Sequence, residues 1–232
     1  MALLLRGTRN LRHWYQCAQQ YFTNVLHVGS PNGVVDDLLL ADLGAYPVAY
    51  ASTYGAPMAS EIVHVCGVLG TRLVVQIGNC GALADDLAAG DLFSASEASC
   101  GDGAPQYYLP GAATVAASID PREWVSSEIL KTAHVRRGRI YTTSALFAEG
   151  AEDLDAWHQS GCSAVDLETA ATFAVAEYFG MDRTSLLYVF DNPRQKAHLL
   201  LDDADKAERR RQGNDVMIDL ALDVIRTYAS RL

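Results

Sequence analysis

Leu73-Val74-Val75-Gln76-Ile77-Gly78-Asn79-Cys80-Gly81 is a short apolar run that passes directly into two closely spaced glycines. A strand covered on both faces has this composition, because neither face needs to be polar. The glycines predict a tight turn at its carboxyl end. In α/β sheets ligands gather beyond the carboxyl ends of strands, and a residue without Cβ lets the backbone come close to a bound group. A purely structural turn accounts for two neighbouring glycines as well. The spacing matches neither a dinucleotide-binding G-x-G-x-x-G nor a Walker loop.

Outward from this run, similar short apolar segments recur at Tyr46–Thr53, Leu92–Glu97, Arg139–Thr143, Ala164–Asp166 and Ser185–Phe190. Helical stretches lie between them. Pro57–Leu69 carries proline in its first turn and Gly70 just past its end, the usual asymmetry of helix ends. Glu168–Phe179 is alanine-rich and stops at Gly180, and Ala204–Tyr228 repeats Val216, Leu220, Val224 and Tyr228 along one side. Strand and helix in alternation predict an α/β fold. The expected architecture is a single domain over 1–232, with a mostly parallel twisted central sheet flanked by helices on both sides. No repeat, low-complexity segment or long linker divides the chain.

The 232 residues suffice to bury a core without disulfides or metals. No apolar stretch reaches the roughly 18–20 residues of a membrane span. Met1-Ala2-Leu3-Leu4-Leu5-Arg6 puts a short apolar run before its first basic residue, the reverse of a secretory leader, which implies a cytoplasmic protein. A net charge of −10 argues against duplex nucleic acid as a partner. The one dense basic cluster, Arg209-Arg210-Arg211, sits among Asp202, Asp203, Asp205 and Glu208. Five scattered cysteines (Cys17, Cys66, Cys80, Cys100 and Cys162) form neither a disulfide framework nor a zinc spacing. The histidines show no ligand spacing either, so no metal or organic cofactor is expected.

Three further segments add chemistry. Val165-Asp166-Leu167-Glu168-Thr169-Ala170-Ala171 sets two carboxylates at a strand-to-helix junction, Val189-Phe190-Asp191-Asn192 puts an acid directly after an apolar strand, and Gly90-Asp91-Leu92 turns into a strand. In this order the chain resembles the nucleoside phosphorylase family of the purine-nucleoside and uridine phosphorylase type, whose members include nucleosidases that use water. Gln76–Leu83 with Ala89–Leu92 resembles the family's strand-glycine signature, and Thr53–Met58 loosely resembles its Gly-x-Gly-x-Pro-Ser stretch. Asp166-Leu167-Glu168 is similar to its Glu-Met-Glu ribose motif, and Phe190-Asp191 to its Ser-Asp base motif. The likeness runs from about residue 3 to the last helix.

The resemblance implies cleavage of the N-glycosidic bond of a nucleoside. That reaction develops positive charge on the ribose and expels a poor leaving group, the base. A carboxylate gripping the 2′- and 3′-hydroxyls serves the first need, and Glu168 occupies its position; a first-turn glutamate favoured by the helix dipole is the alternative. Asp166 takes a supporting role, and Leu167 stands between the two. An acid in an apolar pocket serves the second need by protonating purine N7, and Asp191 fits; an aspartate capping the turn before Pro193 fits too. Uridine-specific relatives lack an acid here, which points to a purine-type base. Arg209 aligns with an arginine that assists this aspartate, although its basic neighbours also suit a solvated face. Phe147 matches an aromatic that stacks on the base, and a core phenylalanine fits equally. Gly78, Asn79, Cys80 and Gly81 line sugar and base by position, with no thiol chemistry required.

The chain departs from the pattern where phosphate should bind. Such a dianion normally needs several arginines and backbone N–H groups. Gln76 and Asn79 replace an arginine and a serine around the glycine turn, and the Gly-Asp-Pro-x-x-Arg loop reads Gly7-Thr8-Arg9-Asn10-Leu11-Arg12. The arm around Gly33 to Asp37, expected to lend an arginine to a neighbouring subunit, has none. Gly7, Arg9 and Arg12, with Arg6 beside them, form the alternative phosphate site. Three readings follow: phosphorolysis to base and ribose 1-phosphate with phosphate as co-substrate, hydrolysis by water, and nucleoside binding without turnover. Retention of both Glu168 and Asp191 favours the enzymes. The family likeness implies a homo-oligomer, a dimer or hexamer, with a small-molecule nucleoside as its partner.

Overall fold

The computed structural model describes residues 1–29, 35, 37–125, 133–195 and 204–232. Gly33 and Asp36 of the expected arm, and Asp202 and Asp203, lie outside these residues. Ten strands occur among the described residues: β1 (Ala2–Gly7), β2 (Thr23–His27), β3 (Leu38–Leu43), β4 (Tyr46–Thr53), β5 (Leu73–Ala82), β6 (Leu92–Cys100), β7 (Thr114–Ala116), β8 (Val135–Thr142), β9 (Cys162–Asp166) and β10 (Asp182–Asp191). The helices are α1 (Leu11–Ala18), α2 (Ala56–Val68), α3 (Pro105–Tyr108), α4 (Ala151–Gln159), α5 (Thr169–Tyr178) and α6 (Ala204–Ser230).

All ten strands join one sheet, ordered β10-β6-β8-β9-β5-β1-β4-β3-β2 with β7 on the free side of β6. Because β10 also pairs with β5, the strands β5, β10, β6, β8 and β9 close a ring, and β1, β4, β3 and β2 extend from it as an open wing. The expected mostly parallel sheet is corrected to a mixed one. Strands β4, β1, β5 and β10 run parallel to their neighbours in that order, as do β6, β8 and β9. The pairs β2–β3, β3–β4, β6–β10, β5–β9 and β6–β7 are antiparallel. Hairpins make part of this difference: Leu43 pairs with Tyr46 across a two-residue loop whose Gly44 has φ +66°, and so short a connection can only reverse the chain.

The Gly78–Gly81 segment, expected as a turn, is extended and lies within β5. It is nevertheless a junction. Gly81 pairs with Asp191 of β10 on one side and with Val165 of β9 on the other. A Cβ on Gly81 would meet the Val165 side chain at 3.1 Å and Asp191 Oδ1 at 3.5 Å, so the bare glycine lets two site-bearing strands converge.

The apolar run at the chain start is a central strand. Leu3 and Leu5 of β1 pack on one face of the sheet with Ile62, Val63 and Val175 of α2 and α5. Ala2 and Leu4 pack on the other with Leu220, Val224 and Tyr228 of α6. The period of two in β1 thus serves helices on both faces. Every residue of α5 from Thr169 to Ala176 is buried, which explains why its sequence is apolar all round rather than on one stripe. No helix among the described residues is long and apolar enough to cross a membrane.

Candidate active site

The carboxyl ends of β1, β4, β5 and β10 come together in register, with Gly7 beside both Thr53 and Gly78, and Gly78 beside Leu187. Above them opens a cavity of about 680 Å³, a size suited to a small ligand. Asn79, Cys80, Gly81, Phe147, Asp166, Leu167, Glu168, Asp191, Gly7 and Arg9 all line it. Gly78, Arg12 and Arg209 do not.

Glu168 is buried at the start of α5, yet it makes no side-chain cap there. Its Oε1 accepts the Gly55 N–H at 2.8 Å. A Cβ on Gly7 would sit 2.8 Å from Glu168 Oε2, so the glycine that ends β1 makes room for this carboxylate. Burial, reinforced by the negative charge of Asp166, raises the Glu168 carboxyl to about 8. The capping work falls to Asp166, whose Oδ2 accepts the Thr169 N–H at 3.0 Å. Asp166 also accepts hydrogen bonds from the Thr169 hydroxyl, Thr142 Oγ1 at 2.8 Å and Gln76 Nε2 at 3.1 Å. Burial still raises its carboxyl, against the opposing pull of these donors. Asp166 therefore holds the floor of the cavity, while Glu168 keeps an oxygen beside Gly7.

Asp191 is 9% exposed and ends β10 at the cavity wall. The turn that follows is tied by its neighbour: Asn192 accepts the Gln195 N–H through its backbone oxygen at 3.1 Å and its side-chain oxygen at 3.3 Å. Asn192 thus serves the turn, and Asp191 lines the cavity. Phe147 is 79% exposed on the rim, which removes the core alternative for it. The Cys80 thiol is buried, and burial together with Asp166 and Asp191 pushes its pKa far up; it contributes shape rather than a thiolate.

Three positions need correction. Gly78 does not face the cavity; a Cβ there would lie 2.6 Å from Gly7 O, so its bareness serves the approach of β1. Arg209 is exposed and absent from the cavity wall, whereas Arg210 is buried, donates from Nε to Phe190 O at 2.6 Å and lies 3.9 Å from the Phe190 ring centroid. The arginine on this helix that supports the Asp191 strand is the next residue along. Arg12 turns away to Asp37, at 4.0 Å. Arg6 is buried too, stacked over the Trp14 ring at 3.6 Å and bonded to Asn214. Of the basic residues around Gly7, Arg9 alone lines the cavity, held by the Tyr54 hydroxyl at 2.9 Å and lying 4.9 Å from the Phe147 ring.

Sequence reasoning passed over Tyr54, Trp14, Tyr188 and Glu149, which also line the cavity. Tyr54 lies within the Thr53–Met58 stretch and Glu149 follows closely on Phe147, and an acid two residues after Phe147 in an otherwise small and apolar stretch is a usable signal. Trp14 belongs to α1, which carried none. Among the described residues no group of three His, Cys, Asp or Glu side chains is placed to hold a metal ion.

Comparison with known proteins identifies the fold and the family. A solved uridine phosphorylase from Vibrio fischeri shares the fold at a TM-score of 0.79 and 20% identity, over 96% of this chain and 90% of that one. Curated relatives include a purine nucleoside phosphorylase, DeoD-type, from Myxococcus xanthus, 30% identical over 72% of this chain and 66% of that protein. The counterpart from Clostridium beijerinckii is 27% identical over 72% and 68%. The family model described as the phosphorylase superfamily matches residues 22–226, and the chain belongs to that superfamily.

Proposed function

We propose that this chain cleaves the N-glycosidic bond of a purine nucleoside by phosphorolysis, releasing the base and ribose 1-phosphate. One observation carries the proposal: a single cavity gathers Glu168, Asp191 and Phe147 from three separate parts of the chain. Glu168 receives the ribose 2′- and 3′-hydroxyls and, once ionised, stabilises the positive charge that develops on the sugar. Phe147 stacks on the base. Asp191 donates a proton or a hydrogen bond to N7 as the bond to the base breaks, and Arg210 steadies its strand through the Phe190 carbonyl. Asp166 acts as a positioning residue, since its oxygens are already occupied by protein donors.

Arg9, with Gly7 and the Thr8–Asn10 segment, receives the phosphate. Tyr54 and Phe147 are exposed at this rim, where a second copy of the chain would complete the site in a homo-oligomer. The test is product identity. Ribose 1-phosphate formed only when phosphate is present supports the reading; free ribose formed at the same rate without phosphate makes the chain a hydrolase. Tight nucleoside binding with neither product leaves a binding protein.

A further inference from the structure

Glu149 lies just past the short helical turn Leu146–Ala148, two residues beyond Phe147, and lines the cavity. Its Oε1 is shielded from solvent and has no hydrogen-bond partner among the described residues. A shielded carboxyl oxygen without a donor is costly, and such an atom in a ligand cavity points to a donor supplied by the ligand. We propose that Glu149 is a specificity-determining residue whose Oε1 accepts a hydrogen bond from an N–H group on the six-membered ring of the base, selecting purines that carry such a donor over those that do not. The inference rests on the reading of the cavity as a nucleoside site.

Three features of the surroundings support it. Phe147 presents its ring on the same rim, so a base stacked there has its edge within the wall that Glu149 helps to form. The charged groups nearest Glu149 in effect are acidic: burial first, then Asp191 and Asp153, raise its carboxyl to about 7. Arg9, the cation on the same cavity wall, is held by the Tyr54 hydroxyl. The acceptor requirement also survives a change of charge, because a carboxylate and the carbonyl oxygen of a carboxylic acid both accept an N–H. Asp191 and Glu149 then divide the base between them, one addressing the five-membered ring and the other the six-membered ring.

A site built to accept a donor rejects an analogue that lacks it far more strongly than an apolar pocket distinguishes a methylene, because the protein atom is left unpaired. Adenine and hypoxanthine carry N–H donors on the six-membered ring, and unsubstituted purine carries none. The experiment is equilibrium binding of these three free bases to the full chain by calorimetry, for the unaltered protein and for Glu149→Leu and Glu149→Gln. The expected result is roughly 10–100-fold tighter binding of adenine or hypoxanthine than of purine. The preference should be lost in Glu149→Leu and largely kept in Glu149→Gln, whose side-chain oxygen still accepts. An equal preference in the unaltered protein and Glu149→Leu overturns the inference, as does no preference in the unaltered protein. A thermal melt of each variant identifies any that is misfolded, and Glu149→Gln provides the folded comparison. Turnover is measured separately: purine binding with the predicted preference but no cleavage would sink the catalytic reading and leave the role of Glu149 standing.

Discussion

The two ends of the cavity are built differently. At the carboxylate end Asp166 and Glu168 are buried and bound by Gln76, Thr142, Thr169 and the Gly55 amide. At the cationic end Arg9 rests on the Tyr54 hydroxyl and two aromatic faces near solvent. The first region is fixed by many mutually supporting contacts, so its geometry exists before a ligand arrives. The second is fixed by few, and a ligand or a neighbouring subunit has more to add there. Preorganised groups aimed at developing charge contribute most to catalysis, so losses should be steep at the carboxylate end and shallow at the cationic one.

The largest effect expected is that of Asp191→Ala. Loss of a general acid should lower purine nucleoside turnover by roughly 10²–10⁴-fold. Nucleosides whose base already leaves easily should be much less affected, as a comparison of kcat across leaving groups would show. A uniform loss with a lower melting temperature would make Asp191 a structural residue and erase the contrast.

Glu168→Gln should follow, at roughly 10²–10³-fold in kcat with a smaller change in KM, because the carboxylate counts most when cationic character develops. Cleavage of 2′,3′-dideoxynucleosides as fast as ribonucleosides by the unaltered protein would remove Glu168 from ribose recognition.

The same residue predicts a pH dependence of stability. Its carboxyl titrates ordinarily near 4.5 and is raised to about 8 in the folded chain. Between those values the native state holds the proton more firmly than the unfolded chain does. Stability should therefore fall as pH rises from 4.5 through 8, by on the order of 2–5 kcal/mol from this group, and level off above. Urea midpoints measured across that range should show a shallower slope in Glu168→Gln. An unchanged slope would mean that Glu168 is ionised throughout and better solvated than its burial implies.

The contrast also explains what could be read in the sequence. Motifs that combine strand ends with carboxylates placed Glu168, Asp166 and Asp191 at one cavity, since a strand-to-helix junction constrains direction as well as position. The β5 extension went unread because Gly78 and Gly81 carry turn composition, although here their bareness admits neighbouring strands. β1 looked like a mere apolar start, because a run of six residues shows nothing of its partners. The Arg209 assignment failed for a geometric reason. One residue along a helix turns the side chain by roughly 100°, so a one-place slip moves an arginine from solvent to the wall behind Phe190. Nothing in Gly7–Arg12 told which of its arginines faces inward, for that depends on Asp37 and Tyr54, both far along the chain.

The smallest effects should come from that last segment, and they test it most closely. Arg9 lines the cavity, and a charge-assisted contact to phosphate contributes about 1.5–3 kcal/mol. Arg9→Ala should thus raise the apparent phosphate requirement by roughly 10–100-fold while nucleoside affinity changes little. Arg12 has a side chain 71% exposed and, among the described residues, pairs with Asp37 at 4.0 Å. An exposed pair of this kind is worth about 0–1 kcal/mol, so Arg12→Ala should leave both phosphate dependence and the melting temperature nearly unchanged. Phosphate titrations of the two variants side by side separate the cases. Equal, large losses would mean that Arg12 turns inward in the working assembly, and the cationic end would then be rebuilt by ligand or partner. Equal, negligible losses would take phosphate away from this rim altogether, leaving the carboxylate end as the whole of the catalytic apparatus and water as the natural nucleophile.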